Sequence, residues 1–311
     1  MPQPVLVAGA RTPVGKLLGA LAPLRAADLG GIAVEAALRR AGISGDQVDA
    51  VFLGNVVQAG AGPNPARLAA SRGGIPMSVP ATTVNKLCLS GLTAIAQAAQ
   101  QIQLGYSQVV VAGGMESMSN APHLMRDARR GWRYGAGGAL EDSLDSDALV
   151  CGFDGLPMGA ATDMYQERLG GISRADQDEF AAESHARAVA AVKEGRLGEE
   201  ITVLSGAGPR GTVNLEQDEG IRPGTTAERL ARLPAAFSDG GTITAGSSSQ
   251  LSDGGCAVVV MDKSVAAGLG LTWLAEIGGY GTAAGPDPSL LLQPANAIRD
   301  ALRRDGASLD V

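Results

Sequence analysis

Residues 80–114 read PATTVNKLCLSGLTAIAQAAQQIQLGYSQVVVAGG, and this stretch carries the pattern on which the fold depends. An extended segment over residues 80–84 is followed by a helix of small residues over 89–105. A buried apolar strand then begins at Val109. Strands that alternate with helices along a chain predict a mostly parallel sheet covered by helices on both faces.

The same alternation continues toward both ends of the chain. Residues 4–9 (PVLVAG) and 49–57 (DAVFLGNVV) predict two more strands, and residues 26–41 predict a helix that ends at Gly42. The strand pattern returns at residues 256–261 (CAVVVM). The sequence therefore predicts an α/β fold.

The middle of the chain has a different character. Residues 119–245 contain more charged residues and only one long helical pattern, which begins at Ser173, has Asp176 three positions on and ends near Lys193. We interpret 119–245 as a loop domain inserted into a layered domain that consists of residues 1–118 and 246–271.

Two segments of the chain resemble each other. AVEAALRRAGIS from Ala33 and AIRDALRRDGAS from Ala297 are identical at seven of twelve positions, and each follows a strand-like segment, PVLVAG or LAEIGG. Chance is one explanation, because Ala-Leu-Arg-Arg helices are common. The other explanation is a protein built from two similar halves. In that case residues 272–311 begin a second half that the sequence leaves incomplete.

Composition excludes several classes of function. The net charge of −7 argues against nucleic acid as a main partner, since phosphate binding needs a basic surface. The three cysteines are far apart and form no C-x-x-C pattern, which argues against disulfides and zinc. Neither a secretory signal nor a run of about 20 apolar residues is present, so we expect no membrane association and a cytoplasmic location. No metal site is predicted, and the acidic run EDSLDSD from Glu141 is interpreted as a solvated loop.

Cys88 is the residue that points to chemistry. It lies where the extended segment gives way to the helix. A cysteine there faces unpaired N–H groups and the positive end of the helix dipole, both of which stabilise the reactive thiolate. From its position alone, Cys88 is either such a nucleophile or a buried structural cysteine.

The motif around Cys88 resembles that of a known family. NKLCLSG, residues 85–91, looks like the nucleophile motif N-x-x-C-x-S-G of thiolases. Other segments are similar to thiolase segments in the same order: RTPVGKLLGAL from Arg11, GNVVQAGAGPNPAR from Gly54, AGGMESMSNAP from Ala112, LPMG from Leu156, GISRADQDEFAAESHARA from Gly171 and TAGSSSQLSDGG from Thr244. The resemblance implies a layered α-β-α-β-α fold of two similar halves with an inserted loop domain, the second half being truncated here.

The resemblance also implies a reaction. Cys88 takes an acyl group from a coenzyme A thioester and passes it on, which makes the chain an acyl-CoA C-acyltransferase, with acetyl-CoA C-acetyltransferase as the leading hypothesis. One alternative is a 3-ketoacyl-CoA thiolase that acts on longer chains in fatty-acid β-oxidation. The other is a catalytically incomplete acyl-CoA-binding or assembly protein. Coenzyme A thioesters are then substrates, with no permanently bound cofactor, and the protein is a homodimer or homotetramer.

By the same resemblance, the coenzyme A site includes two polar contacts and an apolar tunnel for the pantetheine. Arg222 and Ser249 are expected to contact coenzyme A. The expected tunnel residues are Leu149, Met158, Leu233 and Phe237.

The family's other catalytic groups lie in N-E-A-F, G-H-P and C-x-G-G-G segments, none of which occurs in these 311 residues. The two histidines, His123 and His185, match none of these segments and are expected to be structural or surface groups. Substrate length stays open, because two signals disagree. Pro157 stands where many biosynthetic members carry His and degradative members often carry Pro, whereas NKLCLSG and GGMESMSNAP look more like acetoacetyl-CoA thiolases.

Overall fold

The computed structural model describes residues 2–308. Its strands are β1 (Pro4–Arg11), β2 (Gly15–Lys16), β3 (Ala50–Gly54), β4 (Ala81–Val84), β5 (Val109–Ser117), β6 (His123–Leu124), β7 (Glu141–Asp142), β8 (Leu204–Gly208), β9 (Gly211–Leu215), β10 (Ser252–Asp262) and β11 (Ala275–Glu276). Its α-helices are α1 (Ala26–Ala41), α2 (Pro65–Arg72), α3 (Ser90–Gln103), α4 (Met158–Gln166), α5 (Arg174–Lys193), α6 (Ala227–Leu230), α7 (Lys263–Gly268) and α8 (Gln293–Asp305).

The chain packs into two compact units. The first contains the chain up to Ala148, Leu197–Gly220 and Leu251–Ile277. The second contains Leu149–Arg196, Ile221–Gln250 and the chain from Gly278 onward. The division into an inserted loop domain and two similar halves stays a prediction.

A seven-stranded sheet forms the centre of the first unit. Its order is β11-β1-β10-β5-β3-β4, and β2 also pairs with β10. Only β4, β3 and β5 run parallel, while β1, β2, β10 and β11 pair antiparallel. The α/β class is thus confirmed, but the expectation of a mostly parallel sheet is wrong. Residues 118–251 separate β5 from β10, so no single crossover helix constrains this pair to run parallel.

Helices cover both faces of this sheet, as the alternation along β5 requires. Val109 and Val111 pack in the core beside α1 and α2. Val110 and Ala112 point to the other face and pack in the core beside α3. Because successive side chains of a strand point to opposite faces, the uninterrupted apolar run fits a strand buried on both sides. Helix α3 therefore rests on the sheet through small side chains, with its N-terminus near the ends of β3 and β4.

Hydrogen bonds to Asp218 join β1 to the segment that follows β9. The guanidinium of Arg11 donates to both carboxylate oxygens of Asp218, at 2.7 and 3.0 Å. Asp218 also accepts the N–H of Val14 at 2.8 Å. Next to this network, β8 and β9 form an antiparallel hairpin whose Leu204 and Val213 join a small apolar core.

The two similar segments end their helices in the same way. Helix α1 ends at Gly42 with φ 68°, and α8 ends at Gly306 with φ 66°. Ile43 N–H donates to Leu38 at 3.2 Å in the first, and the matching N–H donates five residues back at 3.0 Å in the second. This left-handed cap favours glycine, which explains the glycine at the end of both helices.

In the second unit, helix α5 starts where the sequence predicts. The Ser173 hydroxyl accepts the N–H of Asp176 at 3.2 Å and so caps the first turn. Within residues 2–308, no helix is both long and apolar enough to cross a membrane.

Candidate active site at Cys88 and the coenzyme A residues

Cys88 lies on a tight turn between β4 and α3. We call residues 85–90 the Cys88 turn. Leu87, directly before the cysteine, has φ 51°, a left-handed conformation that is costly for a branched side chain. Cys88 itself is exposed, so of the two readings of its position the structure excludes the buried structural cysteine.

Ser90 closes the turn from within. Its buried hydroxyl accepts the N–H of Lys86 at 2.8 Å and donates to the carbonyl of Leu87 at 2.6 Å. The N–H of Ser90 also donates to the Leu87 carbonyl, at 2.9 Å. The serine of the N-x-x-C-x-S-G pattern therefore ties together the residues on both sides of the strained Leu87.

Asn85 supports the turn from its other side. Its Oδ1 accepts the N–H of Leu87 at 3.1 Å, and its Nδ2 donates to the carbonyl of Val56 at 3.3 Å. One contact needs an acceptor and the other a donor, so the orientation of the amide is fixed. Asn85 thus connects the turn to the segment that follows β3.

Glu116, on β5, binds that same segment. Its carboxylate accepts the N–H groups of Val56 at 2.8 Å and Val57 at 3.4 Å, and Nδ2 of Asn55 at 2.7 Å. Burial raises the pKa of Glu116 to about 7, against the opposing effect of these donors, and the nearby Asp253 carboxylate raises it further.

The start of α3 adds its dipole to the site. Leu89, the N-cap residue, has a side chain that forms no capping hydrogen bond. The positive end of the helix is therefore not neutralised by its own cap and favours a negative charge close by. Close packing places the helix there, since a Cβ at Gly54 would lie 2.7 Å from Cβ of Ser90 and 2.8 Å from N of Gly91.

All six residues expected at coenzyme A lie in the second unit, whereas Cys88 lies in the first. Leu149 and Met158 flank a short turn in which Val150 and Pro157 form an antiparallel bridge. Leu149 and Met158, both half-buried, therefore lie directly next to the two bridged residues.

Phe237 packs against the first turn of α4. Its ring lies directly over Gly159, where no side chain larger than hydrogen fits. Asp163, further along α4, holds the loop that follows Phe237. Its carboxylate accepts N–H groups from Thr242 at 3.0 Å and Ile243 at 3.3 Å, and the hydroxyl of Ser238 at 2.8 Å. Met158 and Phe237 are therefore fixed at the same end of α4.

Leu233 is held by α5. Arg174 donates to the carbonyl oxygens of Leu230 at 2.7 Å and Leu233 at 3.0 Å, and also pairs with the buried Asp178 at 2.8 Å. The Leu233 side chain then packs against Gly246, in the loop that leads to Ser249.

Arg222 and Ser249 are both exposed. The N–H of Arg222 donates to Nδ1 of His185 at 3.3 Å. His185 therefore supports the backbone beside Arg222, which agrees with the structural role expected for this histidine. His123 is exposed and lies 3.9 Å from Asp142.

A cavity of about 570 Å³ opens in the second unit but does not coincide with these residues. Asp163, Gln166, Ile172 and the loop 238–242 line it, and none of the six predicted residues does. Among residues 2–308, no three His, Cys, Asp or Glu side chains are grouped to hold a metal ion.

Comparison with known proteins matches this chain to one family. Residues 4–264 match the model of the thiolase N-terminal domain. A probable acetyl-CoA acetyltransferase of Mycolicibacterium smegmatis is 51% identical over 307 residues, which are 98% of this chain and 79% of that protein. An acetyl-CoA acetyltransferase of Pseudomonas aeruginosa is 43% identical over 98% of this chain and 78% of its own length. A probable acetyl-CoA acyltransferase of Staphylococcus aureus is 40% identical over 99% and 78%, respectively. Together with the N-x-x-C-x-S-G turn at Cys88, these matches show that the chain belongs to the thiolase family.

Proposed function

We propose that this chain is an acyl-CoA C-acyltransferase, specifically an acetyl-CoA C-acetyltransferase, and that Cys88 is its acyl-accepting nucleophile. The observation that carries the proposal is the geometry of the Cys88 turn. An exposed thiol stands beside the start of α3, which has no side-chain cap, on a backbone held in a strained conformation by Ser90 and Asn85. Strain retained at such a position is typical of a functional site.

The first half-reaction uses Cys88 alone as the covalent group. Its thiolate attacks the carbonyl carbon of an acyl-CoA thioester, and the bond from that carbon to the coenzyme A sulfur breaks. Coenzyme A leaves as a thiolate and takes up the proton that Cys88 lost. The acyl group remains on the cysteine as a thioester.

The second half-reaction completes synthesis. The α-carbon of acetyl-CoA loses a proton and bonds to the acyl carbon, and the released Cys88 thiolate takes up that proton, which leaves a 3-ketoacyl-CoA. In degradation the steps run in reverse. Cys88 attacks the 3-keto carbon of a 3-ketoacyl-CoA, the bond from that carbon to the α-carbon breaks, and acetyl-CoA leaves with the proton that Cys88 lost. Free coenzyme A then takes the acyl group from Cys88. The backbone N–H of Cys88 is the donor that we assign to the developing oxyanion.

The second unit supplies coenzyme A binding in this proposal. Arg222 contacts the adenine or a phosphate, which a planar, permanently charged guanidinium can stack on and pair with. Ser249 contacts the same cofactor. The tunnel for the pantetheine is lined by Leu149, Met158, Leu233 and Phe237. Coenzyme A is a substrate here, and no permanently bound cofactor is needed.

We also propose a cytoplasmic homodimer or homotetramer. Among the described residues, the sheet of the first unit ends at β4, which pairs with β3 on one side. An edge strand favours pairing with another chain, and two copies related by a twofold axis satisfy it mutually. Light scattering of the purified chain tests the assembly, and a monomer would contradict it.

A second candidate is a 3-ketoacyl-CoA thiolase for longer chains. Pro157, which pairs with Val150 beside Met158, favours it, because by the family resemblance degradative members often carry Pro at this position. A series of 3-ketoacyl-CoA substrates of increasing chain length separates the two candidates by the substrate that is cleaved fastest.

Incubation with acetyl-CoA followed by peptide mass mapping tests the nucleophile directly. We expect one acetyl group on the peptide that contains Cys88, and none in Cys88→Ala. Coenzyme A binding without acetylation would instead support an acyl-CoA-binding or assembly protein. An acetyl group found only on Cys151 or Cys256 would contradict the assignment of Cys88.

A further inference from the structure

We propose that Glu116 is a positioning residue, which holds the Cys88 turn in its strained conformation through residues 55–57 and Asn85. This inference deepens the proposed function, because it rests on Cys88 as the nucleophile. Glu116 does not contact the sulfur and acts only through the groups between them.

A continuous series of hydrogen bonds joins Glu116 to the turn. The Glu116 carboxylate accepts the N–H of Val56 at 2.8 Å, and the carbonyl of Val56 accepts Nδ2 of Asn85 at 3.3 Å. Oδ1 of Asn85 then accepts the N–H of Leu87 at 3.1 Å. Each bond aligns the dipole of the next group, so the series strengthens cooperatively.

Residues 55–57, which lie between Glu116 and Asn85 in this series, are held by other hydrogen bonds as well. The N–H of Asn55 donates to the carbonyl of Val84 at 3.0 Å, which extends the pairing of β3 and β4. Its side chain, 1% exposed, donates to Glu116 at 2.7 Å and to the carbonyl of Met115 at 3.2 Å. Residues 55–57 therefore transmit the position of β5, a core strand, to the turn that carries Cys88.

A strained turn needs this support. Leu87 at φ 51° persists only if its surroundings favour that conformation over relaxed ones. Ser90 supplies bonds within the turn, whereas Asn85 connects the turn to Val56 outside it. Loss of the outside connection leaves the turn held by its own residues alone.

The ionised form of Glu116 is the one that supports the turn. All three groups that meet it are N–H donors, and a protonated carboxyl directs its own hydrogen at one of them. Desolvation raises the pKa of Glu116 to about 7, and Asp253 on β10 is the neighbouring charged side chain that raises it further. The support therefore strengthens as pH rises through neutrality.

Glu116→Gln tests the proposal, with Glu219→Gln as its matched control. Glu219 likewise accepts two main-chain N–H groups, from Lys16 at 2.9 Å and Ala20 at 3.2 Å, but has no bond to the Cys88 turn. Hydrogen–deuterium exchange of the peptide covering residues 83–92 is the readout. We expect exchange to be about tenfold faster in Glu116→Gln and unchanged in Glu219→Gln.

Asn85→Ala provides a second, exposed position that does not disturb the core. It should speed exchange by a similar factor, and the double variant should be no faster than either single one, because both break the same series. After correction for intrinsic exchange, the wild-type chain should gain protection as pH rises through about 7, and Glu116→Gln should not.

Equal exchange in Glu116→Gln and Glu219→Gln would overturn the proposal, as would additive effects in the double variant. Acetylation of Cys88 is measured on the same samples. Its absence from the wild-type chain would contradict the proposed function only, since the exchange results do not depend on it.

Discussion

At the scale of single residues, the three cysteines differ enough to be ranked by reactivity. Cys88 is exposed beside the start of α3, and Cys151 is half-buried. Although part of Cys256 is exposed, desolvation by the surrounding sheet raises the pKa of its thiol. We expect iodoacetamide near neutral pH to label Cys88 first, because Cys88 is exposed and desolvation lowers the thiolate fraction of Cys256. Peptide mapping over time measures the order, and earlier labelling of Cys151 or Cys256 would contradict it.

Part of this site is readable from the sequence and part is not. The position of Cys88 between a strand and a helix follows from the local pattern of residues 80–105. The roles of Asn85 and Glu116 do not, because they depend on contacts with residues 55–57, which lie about 30 and 60 positions away in the chain. A glutamate in an apolar strand was the available signal, since a buried carboxylate requires donors.

At the scale of elements, the local sequence predicts where a helix begins and ends better than it predicts how strands pair. Helix α1 begins and ends where its pattern predicts, because Gly42 terminates it within the segment itself. The direction of β10 is set by its neighbours β1 and β5 instead, and its own residues 256–261 carry no information about that direction. Gly42 and Gly306 end their helices with the same left-handed cap, and the relation between the two segments stays a prediction.

The contact between β3 and α3 provides a test of packing. Gly54→Ala places a Cβ against the backbone of Gly91 and the Cβ of Ser90, neither of which can move away without shifting the Cys88 turn. We expect the free energy of unfolding to fall by about 1–3 kcal/mol. Gly268→Ala, at the end of α7, meets no atom within 4 Å and should leave stability equal or slightly higher. Urea unfolding compares the two, and equal stabilities would refute the close approach.

The loop after Phe237 depends on one carboxylate. Asp163→Ala removes the acceptor of two main-chain N–H groups and should destabilise this loop by about 2 kcal/mol. Asp239→Ala, an exposed carboxylate of the same loop, should have little effect. Hydrogen exchange of residues 236–244 measures the loop, and coenzyme A affinity measures its consequence for Phe237. A change confined to Asp239→Ala would contradict this account.

At the scale of the whole molecule, Glu116 supports the Cys88 turn but lowers the free energy of unfolding. Its ionised carboxylate supports the Cys88 turn, but keeping that charge in a desolvated position opposes folding. A half-buried carboxylate is a feature that packing alone does not require. The place of Glu116 on a core strand therefore fits a protein that accepts lower stability near neutral pH in exchange for a fixed nucleophile.

The pH dependence of the free energy of unfolding tests whether the Glu116 carboxylate lowers stability. The pKa of Glu116 is raised from 4.5 to about 7 in the folded chain, so between these values the folded state binds more protons than the unfolded state. The free energy of unfolding should therefore fall as pH rises through this window, by up to about 3 kcal/mol from this residue. Glu116→Gln lacks that contribution, so its stability relative to wild type should increase by this amount between about pH 5 and about pH 8. Urea unfolding of both chains at several pH values measures the difference, with Glu219→Gln as control. If the free energy of unfolding depended on pH in the same way for wild type and Glu116→Gln, the carboxylate would not be desolvated and would not lower stability.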